Sequence, residues 1–312
     1  WRFDNVTISG QTPPTASVIS GTTSICNGAS ANINIAITGG TGPFTVVYSN
    51  GSSNTTVTNY TSGAAIPVTP TSPTTYTIVS VKNYNGLLGT GNSGSAVITV
   101  YNTFSAGSIT TTGQSICSGG DPSIINTSTN ASGGDGNITY KWQANGVDIA
   151  SSNVASYDPP AGLLVNTTYT RWAKDGTCNT TFTQSTGSWL VTVNALPTVT
   201  FTTAPGATVC STTAVTYTTQ TGKTNYVWTL PGTAGTDYTI TAGGIGTSSN
   251  TVTLNWLTAG SKTVTVNYNN ASGCAAAAAA TNTTTVNVAP VITTQPSTVA
   301  QTTCQGTPFA PL

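Results

Sequence analysis

The first cysteine of each stretch of this chain recurs on a fixed beat: Cys26, Cys117, Cys210 and Cys304 lie 91, 93 and 94 residues apart. Tyr76 in TTYTIVSV returns as Tyr169 in TTYTRWAKD, 93 residues on. The strand-like ending at Val100 returns at Val193 and Val288, after 93 and 95 residues. A period near 93 is too long for a solenoid unit and matches a small all-β sandwich. The chain therefore reads as sandwiches in series. Residues 1–11 are the last strand of a preceding domain, 12–102, 103–196 and 197–289 are full repeats, and 290–312 begin a fourth.

Alternation of apolar and polar residues supports this. Ile33, Ile35 and Ile37, Val215 and Tyr217, Val252, Leu254 and Trp256, and Val264 and Val266 each follow a two-residue period, the pattern of antiparallel strands with one buried face. Gly-rich turns such as GGTG at 39 and GGDG at 133 separate the strands, and no segment has helical periodicity. The run Ala275 to Ala280 is too short to nucleate a helix and reads as the start of a strand. Trp142 and Trp228 follow Gly-rich turns, where a sandwich of this kind keeps its central aromatic; Val47 stands there in the first repeat. The joints YNTF, NALPTV and NVAPVI carry no Gly/Ser tract, which restricts bending between neighbours.

Only 4% of residues are charged: seven Lys or Arg against seven Asp, with no Glu or His. No basic stripe exists to neutralise phosphates, which excludes nucleic acid and anionic membranes as partners. No apolar run is long enough to span a membrane. A serine or cysteine nucleophile has no histidine base. Asp121, Asp135, Asp158 and Asp175 stand in turns, where Asp suits the backbone, rather than in converging pairs. Asp135 lacks the D-x-D pattern of a calcium loop. The expectation is no enzyme, no metal and no cofactor. Trp172 and Arg171 are neighbours on one strand, so one faces outward; they form the candidate ligand contact, with packing against a loop as the competing reading. Six cysteines without His or C-x-x-C point to disulfides and an oxidising compartment.

At this point the words of the sequence carry a resemblance. The phrases ICNGASANINIAITGGTGPFTVVYSNG and ICSGGDPSIINTSTNASGGDGNITYKWQANG, the latter followed by TTYTRWAKDGTC, resemble the PKD-like and SprB-type repeats of very large adhesins of gliding Bacteroidota. The resemblance spans residues 15–304. It implies tandem immunoglobulin-like antiparallel β-sandwiches, type IX secretion, display on the cell surface in a gliding organism, and no catalysis. One departure stands out: the first repeat has NYNGLLG where the others have KDGTC and NASGC, so Leu87 replaces a cysteine.

Two disulfide maps compete. One closes each repeat on itself, Cys117 with Cys178 and Cys210 with Cys274, and orphans Cys26. If the topology is the immunoglobulin-like one that the resemblance implies, the first cysteine of a repeat lies at its C-terminal end and the second at its N-terminal end. Strands of six or seven residues hold those ends ~20 Å apart, beyond disulfide reach. The alternative, which is favoured, joins Cys26 to Cys178 and Cys117 to Cys274 across joints, leaving Cys210 and Cys304 for partners outside the segment.

The leading functional reading is a non-catalytic structural or adhesive segment of a long extracellular, cell-surface protein, a stiff stalk or filament. Its partners are neighbouring repeats, with polysaccharide or other surfaces and self-association through uncovered edge strands. A carbohydrate-binding module array and an accessory region of a secreted hydrolase are the alternatives.

Overall fold

A computed structural model describes residues 11–291. Residues before Gln11 and after Val291, Cys304 among them, lie outside it, and with them the preceding strand and most of the fourth repeat expected from sequence. The described residues form an all-β structure, without a helix, of tandem immunoglobulin-like antiparallel sandwiches.

By packing, the chain divides into two compact units. One takes the residues up to Gln114 together with 121–160 and 166–192; the other takes Ser115–Gly120, Ala161–Val165 and the chain from Val193 onward.

In the first unit, one sandwich pairs a four-stranded sheet with a five-stranded one. The first has the order Ala65–Val68, Ala31–Gly39, Pro14–Ser20, Asn92–Ser93; the second runs Thr23–Cys26, Ala96–Tyr101, Thr74–Lys82, Phe44–Ser49, Asn54–Tyr60. Alternating side chains from the two sheets, among them Ile33, Ile35, Val46, Val81 and Ile98, fill the space between them and are fully buried. The chain leaves the first sheet at Ser20 and enters the second at Thr23, where it runs parallel to Ala96–Tyr101. Gly21 makes this crossing at φ +119°, and a β-carbon there would stand 2.5 Å from the Asn32 carbonyl, so only glycine fits. Val47 is not the inward residue of its strand: Phe44, Val46 and Tyr48 point in, and Tyr48 meets Tyr76 edge-on at 5.9 Å.

The same unit holds a second sheet arrangement. Thr167–Lys174 pairs antiparallel with Thr139–Ala144, Thr183–Gln184 and Trp189–Asn194, and Ser108–Ile109 pairs with Thr127–Thr129. Trp142 is wholly buried and stacks on Tyr157 at 5.4 Å.

In the second unit, Phe201–Thr203, Ala214–Thr219, Thr251–Trp256 and Tyr238–Gly243 face Thr208–Cys210, Ala280–Asn287, Gly260–Asn269 and Thr224–Thr229. Tyr217, Trp228, Val252, Leu254, Trp256 and Val264 fill its core. The alanine run is mostly not strand. Ala275 makes a single bridge to Asn269, the next residues form a bend, and pairing begins only at Ala280. Methyl side chains give the bend nothing to bury, so it follows the loop that the preceding cysteine ends.

Candidate functional site

Cys26, Cys117 and Cys210 each sit where the chain has just crossed between sheets, at the end of a short strand beside the last strand of its sandwich. Cys26 aligns with Tyr101 in parallel register, and Cys210 aligns with Asn287 in the same way. Ser118 donates its N–H to Asn194 O at 2.8 Å, as Ser211 does to Asn287 O at 2.7 Å. Cys117 and Cys210 thus occupy equivalent places.

The second cysteines lie on a loop built around one Asx side chain. In NASGC, Asn270 Oδ1 accepts the N–H groups of Ser272 and Cys274, both at 3.0 Å, while Asn270 N–H donates to Cys274 O at 2.9 Å. Asn83 does the same in NYNGL, accepting from Asn85 at 3.1 Å and Leu87 at 2.9 Å. Each amide also reaches back to a carbonyl of the incoming joint, Asn83 to Thr12 and Asn270 to Ala195. Leu87 therefore stands at the cysteine position of an otherwise unchanged loop.

In the second repeat the same role falls to buried Asp175, which accepts from the N–H groups of Thr177, Cys178 and Asn179 at 2.6–2.8 Å. Here the cysteine comes one residue earlier, since Asn179 closes the turn by accepting from Asp175 N–H at 3.1 Å. Asp135 reinforces it from outside. Its carboxylate accepts from Thr177 Oγ1 at 2.6 Å, from Asn137 N–H at 2.9 Å and from Gly176 N–H at 3.1 Å. The Thr177 hydroxyl, then the Asn137 N–H, lower its pKa from 3.8 to about 2. Among the described residues no group of three or more His, Cys, Asp or Glu is placed to hold a metal ion.

These two loop systems meet in disulfides. Cys26 is bonded to Cys178 and Cys117 to Cys274, each with Cα atoms 5.6 Å apart and with sequence separations of 152 and 157 residues. The first bridge is flanked by a hydrogen bond from Asn27 Nδ2 to Thr103 Oγ1 at 3.2 Å. Cys210 is exposed with a free thiol. The intra-repeat pairs Cys117–Cys178 and Cys210–Cys274 are not formed.

Arg171 is not a surface contact: it is fully buried. Its Nε donates to Ser185 Oγ, Nη1 to Thr127 Oγ1 and Ala155 O, and Nη2 to the carbonyls of Ala106, Ser108 and Thr129, all within 2.8–3.3 Å. A guanidinium carries five N–H donors, and here they serve the backbone of the loops where this sandwich has little apolar core. Trp172 faces the other way and is half-buried. Lys141, opposite it in register, holds its Nζ 5.6 Å from the Trp172 ring and 5.0 Å from that of Phe182, and pairs with Asp148 at 3.0 Å.

The signal for the Asx loops is present in sequence as Asn-x3-Leu and Asn-x3-Cys, with Asp175 three residues before its cysteine. Nothing in sequence marks Arg171 as buried, because most of its acceptors are main-chain carbonyls that any residue supplies.

No protein-family model matches the chain, and no curated protein matches it. Among solved structures it is similar to a Ca2+-stabilised adhesin with which an Antarctic bacterium binds ice, at 16% identity and TM-score 0.45, covering 90% of this chain and 76% of that one. It is also similar to human CDH23 EC21-23, at 13% identity and TM-score 0.39, covering 88% and 100%. A third likeness, to the eight N-terminal Ig domains of Down Syndrome Cell Adhesion Molecule, has 14% identity and TM-score 0.38, covering 88% and 37%.

Proposed function

We propose that this chain is a non-catalytic stalk segment of a secreted, cell-surface adhesin, made of sandwich repeats over 12–102, 103–196 and 197–289 that are bonded in series through their joints. The observation that supports it is the pattern of bridges, in which the cysteine ending a short strand in one repeat is bonded to the Asx loop of the next. Cys210, equivalent in position and exposed, then bonds to the Asx loop of a following repeat, at a separation like those of the first two bridges. Cys304 serves the same purpose one repeat later. In this reading Leu87 closes the loop of a repeat whose predecessor offers no cysteine. Export through the type IX system of a gliding bacterium is the origin that the sequence resemblance suggests.

A secondary reading places a polysaccharide or other surface ligand on the sheet face carrying Trp172, Phe182 and Lys141, where Lys174 also holds its Nζ 5.0 Å from the Phe182 ring. Non-reducing peptide mapping of the parent protein, with surface biotinylation of the producing cells, tests the main reading. The expected result is a peptide joining Cys210 to a cysteine of the next repeat, from a biotin-labelled protein. A free Cys210 thiol in the mature surface protein would sink the serial bonding.

A further inference from the structure

We infer that the two bridges act as an extension limiter, because their loops overlap instead of following one another. This rests on the stalk reading for its purpose but on connectivity alone for its content. Cys117 lies inside the loop closed by Cys26 and Cys178, and Cys178 lies inside the loop closed by Cys117 and Cys274. The shortest covalent route from end to end therefore does not follow the chain. It runs from Trp1 to Cys26, crosses to Cys178, returns along the chain to Cys117, crosses to Cys274 and continues to Leu312.

The second repeat is thus the one through which tension runs backwards. Most of the first sandwich, residues 27–102, and nearly all of the last, up to Cys274, hang off the loaded path. Pulling the ends apart cannot draw length from them even if they unfold. That route spans roughly 124 residues, against roughly 311 along the chain, at a reach of about 3.5 Å per extended residue. The oxidised chain therefore stretches to about 430 Å and the reduced chain to about 1,090 Å. A run of self-closed repeats, bonded Cys117–Cys178 and Cys210–Cys274, would leave a path of roughly 186 residues, or about 650 Å. Overlap is what shortens the tether further.

It also gives a signature that independent loops lack. Removing either bridge alone still leaves a long shortcut through the other. Cys178→Ser gives a path of roughly 154 residues and Cys274→Ser one of roughly 159, so each adds only about 100 or 120 Å of contour. Removing both returns the whole difference between the oxidised and reduced chains. Independent loops would each return their full length and add.

The test is single-molecule stretching of the full chain, tethered at its two termini, in a Cys210→Ser, Cys304→Ser background so that only the two bridges count. The expected contour lengths are about 430 Å oxidised, about 540 Å and about 560 Å for the single variants and about 1,090 Å for the double variant or in reductant. An oxidised contour of about 650 Å at the same reach per residue, or single-variant gains that add up to the double-variant gain, overturns the proposal. Such a result leaves the stalk reading standing. Conversely, the expected contour in a parent protein found inside the cell removes the stalk and leaves the limiter as a property without that use.

Discussion

Breaking the Cys26–Cys178 bridge is expected to destabilise the second sandwich by an amount set by loop length. Cys26 is held in register beside Tyr101. With the first sandwich folded, the bridge returns the chain to within a residue or so of where the second repeat begins. If the second sandwich unfolds alone, the loop kept closed runs only from Asn102 to Cys178, not over the whole 152-residue separation. In the chain-entropy treatment a closed loop of about 77 residues lowers the entropy of the unfolded state by roughly 15 cal/mol/K, about 4.5 kcal/mol at 25 °C. The perturbation is Cys178→Ser, a near-isosteric change in a loop whose Asx hydrogen bonds to Asp175 use only the main chain of residue 178. The assay is native-state hydrogen exchange read on the strand Thr167–Lys174, whose slowest amides exchange by unfolding of the sandwich. Protection should fall by about three decades, since each factor of ten corresponds to about 1.4 kcal/mol. The strand Thr251–Trp256, stapled by the other bridge, should be unchanged. A loss of less than tenfold in Thr167–Lys174 would mean that the bridge closes no loop the unfolded repeat would otherwise open.

Three further outcomes follow from the site. Arg171→Met should cost about 2 kcal/mol or more in urea unfolding, because it removes the side-chain donor from the carbonyls of Ser108 and Thr129 at about 1 kcal/mol or more each, whereas Ala106 O keeps Ser185 Oγ and Ala155 O keeps Thr127 Oγ1; Arg171→Lys should recover only part of this, since an ammonium has too few donors for all the acceptors the guanidinium serves. An unchanged midpoint for Arg171→Met would show the guanidinium to be dispensable. Gly134 stands at φ +58°, and a β-carbon there would overlap the Asp175 carboxylate, so Gly134→Ala should displace the loop and raise free thiol at Cys178 in maleimide labelling; complete bridge formation in that variant would contradict it. Asp135 has a folded pKa of about 2, below its ordinary value of 3.8. Its contribution is therefore fully present above about pH 4 and lost as pH falls through about 2. The melting temperature should decline across that window and decline less in Asp135→Asn, and equal slopes in the two proteins would discard the assignment.

The fold is legible in the sequence because its determinants are local. Period-two alternation at Ile33–Ile37 and Val252–Trp256 specifies half-buried strands whatever lies around them, and the recurrence near 93 residues specifies that the pattern is read out more than once. The departure at Leu87 is equally visible, and the structure adds that Asn83 keeps the loop's hydrogen bonds without the cysteine. Two placements lie beyond local signals. Sequence order puts Val47 at the core position of its strand, but the unbroken alternation of that strand turns Phe44, Val46 and Tyr48 inward, and which of the two alternating sets meets the core is decided by the sheet packed opposite. The alanine run reads as strand, yet alanine has too little side chain to favour either a sheet face or a bend, so the closing loop at Cys274 decides.

The cysteines show the division most plainly. Sequence determines that they come in two positions per repeat and that one repeat lacks the second. Distance decides which of them bond, and distance between residues 152 or 157 apart is a property of the folded chain alone. The side of the strand on which Arg171 falls is likewise tertiary. Its alternation with Trp172 is readable, but the main-chain carbonyls that make burial of a cation tolerable are brought together only when the loops carrying Ala106 and Ala155 and the strand Thr127–Thr129 close around it.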